Sequence, residues 1–138
     1  MIFDETILCA KAFCTELTYK EGAITFADAP FVLVVASSGR ATLTANSEPL
    51  LLCAGSLALA RGSVTLTPAT DCHLLCAGLT GLAAQAAGQA LTQPVLSDCG
   101  ACPNIAELLH ALFTDDIHRG AEGTSVLCYR ILCEVASA

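Results

Sequence analysis

The 138-residue chain has no tryptophan, one methionine, two tyrosines and five phenylalanines. Sugar recognition draws on aromatic platforms with converging polar groups, so this scarcity disfavours a carbohydrate ligand. Tyr19 and Tyr129 also fall outside the strand-like segments. Charge is equally thin, at 14% of residues, and cations are the rarer sign: six Lys/Arg against thirteen Asp/Glu, a formal net charge of −7. Phosphate neutralisation needs clustered cations. Lys11, Lys20, Arg40, Arg61, Arg119 and Arg130 are scattered, which excludes a free-standing DNA-binding domain. The opening Met1-Ile-Phe-Asp-Glu-Thr is acidic where a signal peptide is basic. The stretch from Cys72 to Ser97 carries no formal charge with His73 neutral, but Gln85, Gln89, Gln93 and Pro94 interrupt it. Amides in mid-span are costly in lipid, so the stretch reads as a buried strand followed by a small-residue helix. The expectation is a cytoplasmic protein without membrane contact.

Apolar residues, by contrast, make up 54% of the chain. That is too apolar for a disordered tail, and the length suits one domain with a core of its own. Nine cysteines stand out: Cys9, Cys14, Cys53, Cys72, Cys76, Cys99, Cys102, Cys128 and Cys133. An odd number without an export signal argues against a disulfide framework. The one familiar spacing is Cys99-Gly-Ala-Cys102, followed by Pro103 and a helix start. Such a pair can be a redox couple or half of a zinc site. The strand that a thioredoxin-like unit needs is only the short segment Gln93 to Asp98, and no second CxxC exists. Cys128 and Cys133 lie about 140° apart on a helix. The plainer reading is that cysteine here serves as a small buried apolar side chain.

The pattern changes near residue 80. Before it, β-forming runs alternate with turns: Ile24 to Phe26, Phe31 to Ala36, Ala41 to Thr44, Leu50 to Leu52, Leu57 to Leu59, Val64 to Thr67 and Cys72 to Ala77. Ser37-Ser-Gly39, Asn46 to Pro49, Arg61-Gly-Ser63 and Pro68 to Asp71 separate several of them. This spacing predicts a sandwich or barrel. After it comes an alanine-rich helix, Leu82 to Ala90, with Gly88 near its end. Asn104 can cap a helix in which Ile105, Leu108, Leu109, Leu112 and Phe113 form one stripe, at offsets i+3, i+4, i+7 and i+8. His118-Arg119-Gly120 is expected to break it. A last helix carries Leu127, Cys128, Ile131, Leu132 and Val135 on one face, completing an antiparallel hairpin. Its stripes must bury against the β part, each other or a partner subunit.

In this order, a β barrel and then helices, the chain resembles the N-terminal sensor domain of AraC-type transcriptional regulators. Phe31 to Leu43 looks like that family's strand, Ser-Gly turn and strand. Ala54-Gly55-Ser-Leu-Ala-Leu59 resembles its proline-glycine-aspartate turn, with Ala54 and Ser56 replacing proline and aspartate. Leu79-Thr80-Gly81, the alanine helix and Gln93 to Leu96 resemble the exit from the barrel, and Cys128 to Val135 the last helix before the linker. The resemblance covers roughly residues 20 to 136. It implies a mainly β fold with C-terminal helices: a cupin-like double-stranded β-helix, or jelly-roll, barrel at 1–80, then a helical segment at 81–138 with a hairpin packed on the barrel or on a partner, as one compact domain. The helix-turn-helix motifs of that family do not occur in this sequence.

Registered on Gly39 and Gly55, the cupin metal pattern would place ligands at Val32, among Thr25, Phe26, Ala27 and Asp28, and at Leu66. Only Asp28 has a ligating side chain, and one carboxylate cannot hold a catalytic transition metal. No cofactor is expected. The same positions suggest that Val32, Val34, Val64 and Leu66 face the barrel interior, with Phe26 and Leu57 or Leu59 near the mouth. These seven could line a pocket for a small apolar or aromatic effector, or fill the core. His73 lies between Cys72 and Cys76 but points to the opposite face of a strand. His110, His118 and Asp115-Asp116 read as surface or helix-end groups, and no Ser/His/Asp signature or phosphate loop is visible. The resemblance therefore implies a non-enzymatic module of transcription regulation, sensing an effector and forming a homodimer through Ile105, Leu108, Leu112, Leu127, Ile131 and Leu132. Alternatives are a stand-alone cupin-like enzyme or binding protein, and a thiol or zinc sensor using Cys99 and Cys102.

Overall fold

Two kinds of strand are written into the chain. Phe31-Val-Leu-Val-Val-Ala36 is apolar at every position, whereas Arg40-Ala-Thr-Leu-Thr-Ala45 alternates. The first pattern belongs to a strand covered on both faces and the second to one covered on a single face. The computed structural model, which describes residues 9–18, 22–45, 47–69, 71–98, 100 and 104–136 (without the side chains of 115–126), has one sheet of each kind. The strands are β1 (Ala10–Thr18), β2 (Ile24–Thr25), β3 (Ala29–Ser38), β4 (Arg40–Ala45), β5 (Glu48–Cys53), β6 (Ser56–Gly62), β7 (Val64–Pro68), β8 (His73–Thr80) and β9 (Val95–Asp98). The helices are α1 (Leu82–Gln89) and α2 (Ile105–Ala136).

Sheet A has the order β1-β8-β3-β6-β9 and sheet B the order β2-β7-β4-β5. Each observed pairing is antiparallel. The inner faces enclose a first apolar cluster with Val32, Val34, Leu43, Ala58, Val64, Leu66, Leu74 and Cys76. The outer face of sheet A carries Phe31, Leu33, Val35, Leu75 and Leu79, which pack with α1 and α2 in a second cluster. The mainly β architecture with C-terminal helices is therefore present as expected.

Two tight turns show why glycine is needed where the chain reverses. Gly39, between β3 and β4, has φ +75, and a Cβ there would lie 2.1 Å from the Asp71 carbonyl oxygen. Gly55, between β5 and β6, has φ +89. Both sit in the left-handed region that glycine enters without steric penalty.

β1 was not anticipated from the sequence. It mixes Lys11 and Glu16 with Phe13 and Leu17, and its ladder to β8 is irregular between Lys11 and Phe13. Charge and a bulge are common devices on an edge strand. β9 is the short segment Val95–Asp98, which pairs with β6 through Ser56↔Asp98 to Leu59↔Val95. The division at residue 80 is consequently crossed, because this piece of the helical segment returns to the barrel's sheet.

Helical conformation extends over 105–136, on both sides of His118-Arg119-Gly120, where a break was expected. It still cannot be one straight rod. Thirty residues at the usual rise would span about 45 Å, yet Asn104 Nδ2 donates to Glu134 Oε1 at 3.5 Å. The two ends lie side by side, so the run reverses and forms the expected antiparallel hairpin. Asn104 opens it, its carbonyl accepting from Leu108 N at 3.0 Å. Among the described residues, no helix is long and apolar enough to cross a membrane.

Candidate ligand-binding site

Val32, Val34, Val64 and Leu66 do come together between the sheets, each at 0% exposure. No water-sized sphere reaches them from outside or from within, so side chains fill this level of the barrel. Phe26 is half-buried and stacks on Phe13, with ring centroids 4.7 Å apart and planes 5° from parallel. Gly78, paired with Phe13 across β1 and β8, leaves the room this ring needs: a Cβ there would lie 2.2 Å from Phe13 Cε2.

Leu57 and Leu59 are placed differently from the expectation. Val32 pairs with Ala60 and Val34 with Ala58, and residues directly opposite in a ladder share a face. Ala58 and Ala60 therefore point inward, while Leu57 and Leu59 join the outer cluster beneath the helices. The strand was located correctly and its parity was not.

The hairpin stripe is also occupied within the chain. Ile105, Leu112 and Ile131 are at 0% exposure, Leu127 at 4%, and Leu108 and Leu132 at 8%. All six pack in the outer cluster. A second subunit cannot use side chains that sheet A already covers.

Titratable groups form one cluster that sequence reasoning missed. His73 starts β8, and Glu16 and Ser37 lie near the ends of the neighbouring strands β1 and β3 of sheet A. Ser37 Oγ is 2.5 Å from His73 Nδ1, and His73 Nε2 meets Glu16 Oε1. A carboxylate accepts, so Nε2–H donates to Glu16. Ser37 Oγ also approaches the His73 carbonyl oxygen at 3.2 Å. His73 is 36 residues from Ser37 and 57 from Glu16 in sequence. No local motif announces such a clasp. His110 is exposed, as expected. The side chains of His118, Asp115 and Asp116 lie outside the described residues.

The thiols follow burial. Cys9, Cys72, Cys76 and Cys128 are buried, Cys14 is intermediate, and Cys53 and Cys133 are exposed. Burial pushes the Cys76 thiol well above its ordinary range, with Cys14 adding to it. Cys128 is raised by its hydrogen bond with Cys9 and then by burial. Cys72 is raised by burial and by the charge of Asp71. Cys99 and Cys102 lie outside the described residues. Among the described residues, no three His, Cys, Asp or Glu side chains gather as a metal site.

A concavity among the described residues lies elsewhere, at the edge of the barrel. A cleft of about 600 Å³ opens between the start of β3 (Asp28, Ala29, Pro30), the end of β6 (Arg61, Gly62) and one face of α1 (Gln85, Gly88, Gln89). Gly88 sets its depth. A Cβ there would lie 1.9 Å from the Pro30 carbonyl oxygen, so only glycine lets α1 settle on the strand. Gln85 and Gln89 are one helical turn apart and flank that contact. Asp28 and Arg61 supply opposite charges. Among the described residues, none of these four side chains has a hydrogen-bond or ion-pair partner. The sequence offered two separate hints, Asp28 as the carboxylate left over from the metal pattern and Gly88 inside a helix, but nothing that joined them.

No protein-family model matches the sequence. No curated protein matches it either. Solved structures do. The AraC-like transcriptional activator CuxR superposes with a TM-score of 0.56 at 13% identity, over 80% of this chain and 42% of CuxR. The chain carries the cupin-like fold of AraC-like regulators. A second match to this AraC-type fold is an apo variant of ToxT from Vibrio cholerae, with a TM-score of 0.50 at 10% identity, over 90% of this chain and 53% of that one. The chain thus spans about half the length of these AraC-type structures. At such identities the likeness establishes the fold.

Proposed function

We propose that this chain is the effector-sensing and dimerisation part of an AraC-type transcriptional regulator, acting in the cytoplasm and without catalysis. DNA is reached only through helix-turn-helix motifs outside the 138 residues. The barrel at 1–80 and the helical segment at 81–138 work as one unit, with β9 tying the second to the first. The observation that carries this reading is the outer apolar cluster, in which α2 packs on β1 and β8 of the barrel while α1 lies on β3. A change in the barrel therefore reaches the hairpin through contact. Such a switch needs an effector that binds two states with different affinity.

The homodimer in this reading meets through the outer side of the hairpin, where Phe113 and Tyr129 are 40% and 45% exposed. The six stripe residues hold that surface in place from beneath. An effector among Val32, Val34, Val64 and Leu66 would have to part the sheets, whereas the edge cleft is already open. The test is the reading frame continuing past Ala138. Two helix-turn-helix motifs there support the reading, and a stop codon or an unrelated catalytic domain overturns it.

A further inference from the structure

We infer that the edge cleft is a binding site for a small zwitterion, of amino-acid to dipeptide size, carrying a carboxylate and an ammonium group. The inference rests on the sensing reading and names the ligand class that the reading leaves open. Its basis is the set of unengaged groups facing one space. Arg61 and Asp28 both line the cleft, and among the described residues neither has an ion-pair partner. A guanidinium offers a planar fork that takes a carboxylate through two parallel N–H···O bonds. A carboxylate accepts from an ammonium. Gln85 and Gln89 each present a carboxamide that can donate and accept, matching the amide or side chain lying between the charged ends of such a ligand. The volume of about 600 Å³ is within the usual range for small-molecule sites.

A mono-anion would leave Asp28 in the same cleft as a repulsive neighbour, and a mono-cation would meet Arg61 in the same way. A purely apolar effector would desolvate four polar side chains without replacing their hydrogen bonds, a loss that selects against it. The walls also belong to different elements. Asp28 and Arg61 come from the barrel and the glutamines from α1, so a ligand that bridges them fixes α1 on β3 and β6.

The experiment is a 15N-resolved NMR titration of the 138-residue chain with glycine, L-glutamine and glycylglycine. Acetate and methylammonium serve as single-charge controls. The expected result is that at least one zwitterion shifts the Gln85 and Gln89 side-chain amides with the Gly62 and Gly88 backbone amides, while the controls do not. Arg61→Gln and Asp28→Asn each change an exposed side chain, and the rest of the spectrum verifies that each variant folds. Either one should weaken binding at least about tenfold, and hydrogen exchange in α1 should slow with ligand only in the unsubstituted chain. No shift with any of the three zwitterions overturns the inference. So do shifts confined to other residues, and binding indifferent to both variants. These outcomes are independent of the reading-frame test, so a regulator whose cleft takes no zwitterion is distinguishable from a chain that is no regulator.

Discussion

The two apolar clusters are built from different side chains. Between the sheets, Ala29, Ala36, Ala41, Ala45, Ala58 and Ala60 interleave with Val32, Val34, Val64 and a few leucines. Outside sheet A, Leu33, Leu57, Leu75, Leu79, Leu109 and Leu112 dominate, with Ile105, Ile131 and Phe31. The inner cluster is clamped by hydrogen-bonded ladders on both sides, and small residues make up much of it. The outer cluster has one ladder and a helical cover, and large residues supply its area. Apolar area sets the gain from burial, while closeness of fit sets what a single change costs. A barrel interior made this way is a structural core, closed by ladders on two sides where the outer cluster is closed by one ladder and two helices.

The harshest way to break this comparison is Ile131→Glu. A carboxylate placed at a fully buried position between sheet A and α2 has no partner, and we expect a loss above about 4 kcal/mol, with cooperative unfolding gone in a urea titration. The same variant checks the dimer proposal: it should unfold the protomer rather than yield a folded monomer on light scattering. A matched pair comes next. Leu66→Ala in the inner cluster should cost about 4 kcal/mol, and Leu109→Ala in the outer about 3, both within the usual span for buried leucine. The helical lid can settle into a vacated space and the two ladders cannot. Equal urea midpoints for the two would remove the distinction.

Gly88→Ala is expected to cost about 1–2 kcal/mol, despite the higher helix propensity of alanine, because its Cβ meets the Pro30 carbonyl. Faster hydrogen exchange confined to α1 would identify the cause. The smallest effect should follow Glu16→Gln. Its contact with His73 is partly exposed, with side-chain exposures of 37% and 35%, and a chemical-denaturation difference below about 1 kcal/mol is expected.

The same contrast explains what could be read in advance. The uninterrupted run Phe31 to Ala36 and the alternation in Thr42-Leu43-Thr44 are direct records of two-sided and one-sided burial, so the strands and the helix stripes were legible. Which face each residue of β6 takes was not, because Leu57-Ala58-Leu59-Ala60 is apolar throughout and only the pairing with β3 sets its parity. β1 was hidden by its charges and its bulge. The edge cleft was hidden more deeply, because Asp28, Arg61 and Gln85 sit on three elements, and sequence separation conveys nothing about a wall assembled by packing. The hairpin was legible as two stripes, yet the stripes' partner proved to be the chain's own sheet.

β9 has a mechanical consequence. The chain leaves sheet A at β8, crosses as α1 and comes down again at β9, and the strands between those two anchors are β3 and β6. Three strand spacings separate the anchors, roughly 14 Å. The crossing segment is a belt of fixed length buckled at both ends to the surface it spans. Flattening or coiling of sheet A alters the anchor separation, and the belt must tighten or slacken in answer. α2 begins at Ile105, a short stretch of sequence after the second buckle at Asp98, which places the hairpin's root near that end of the belt.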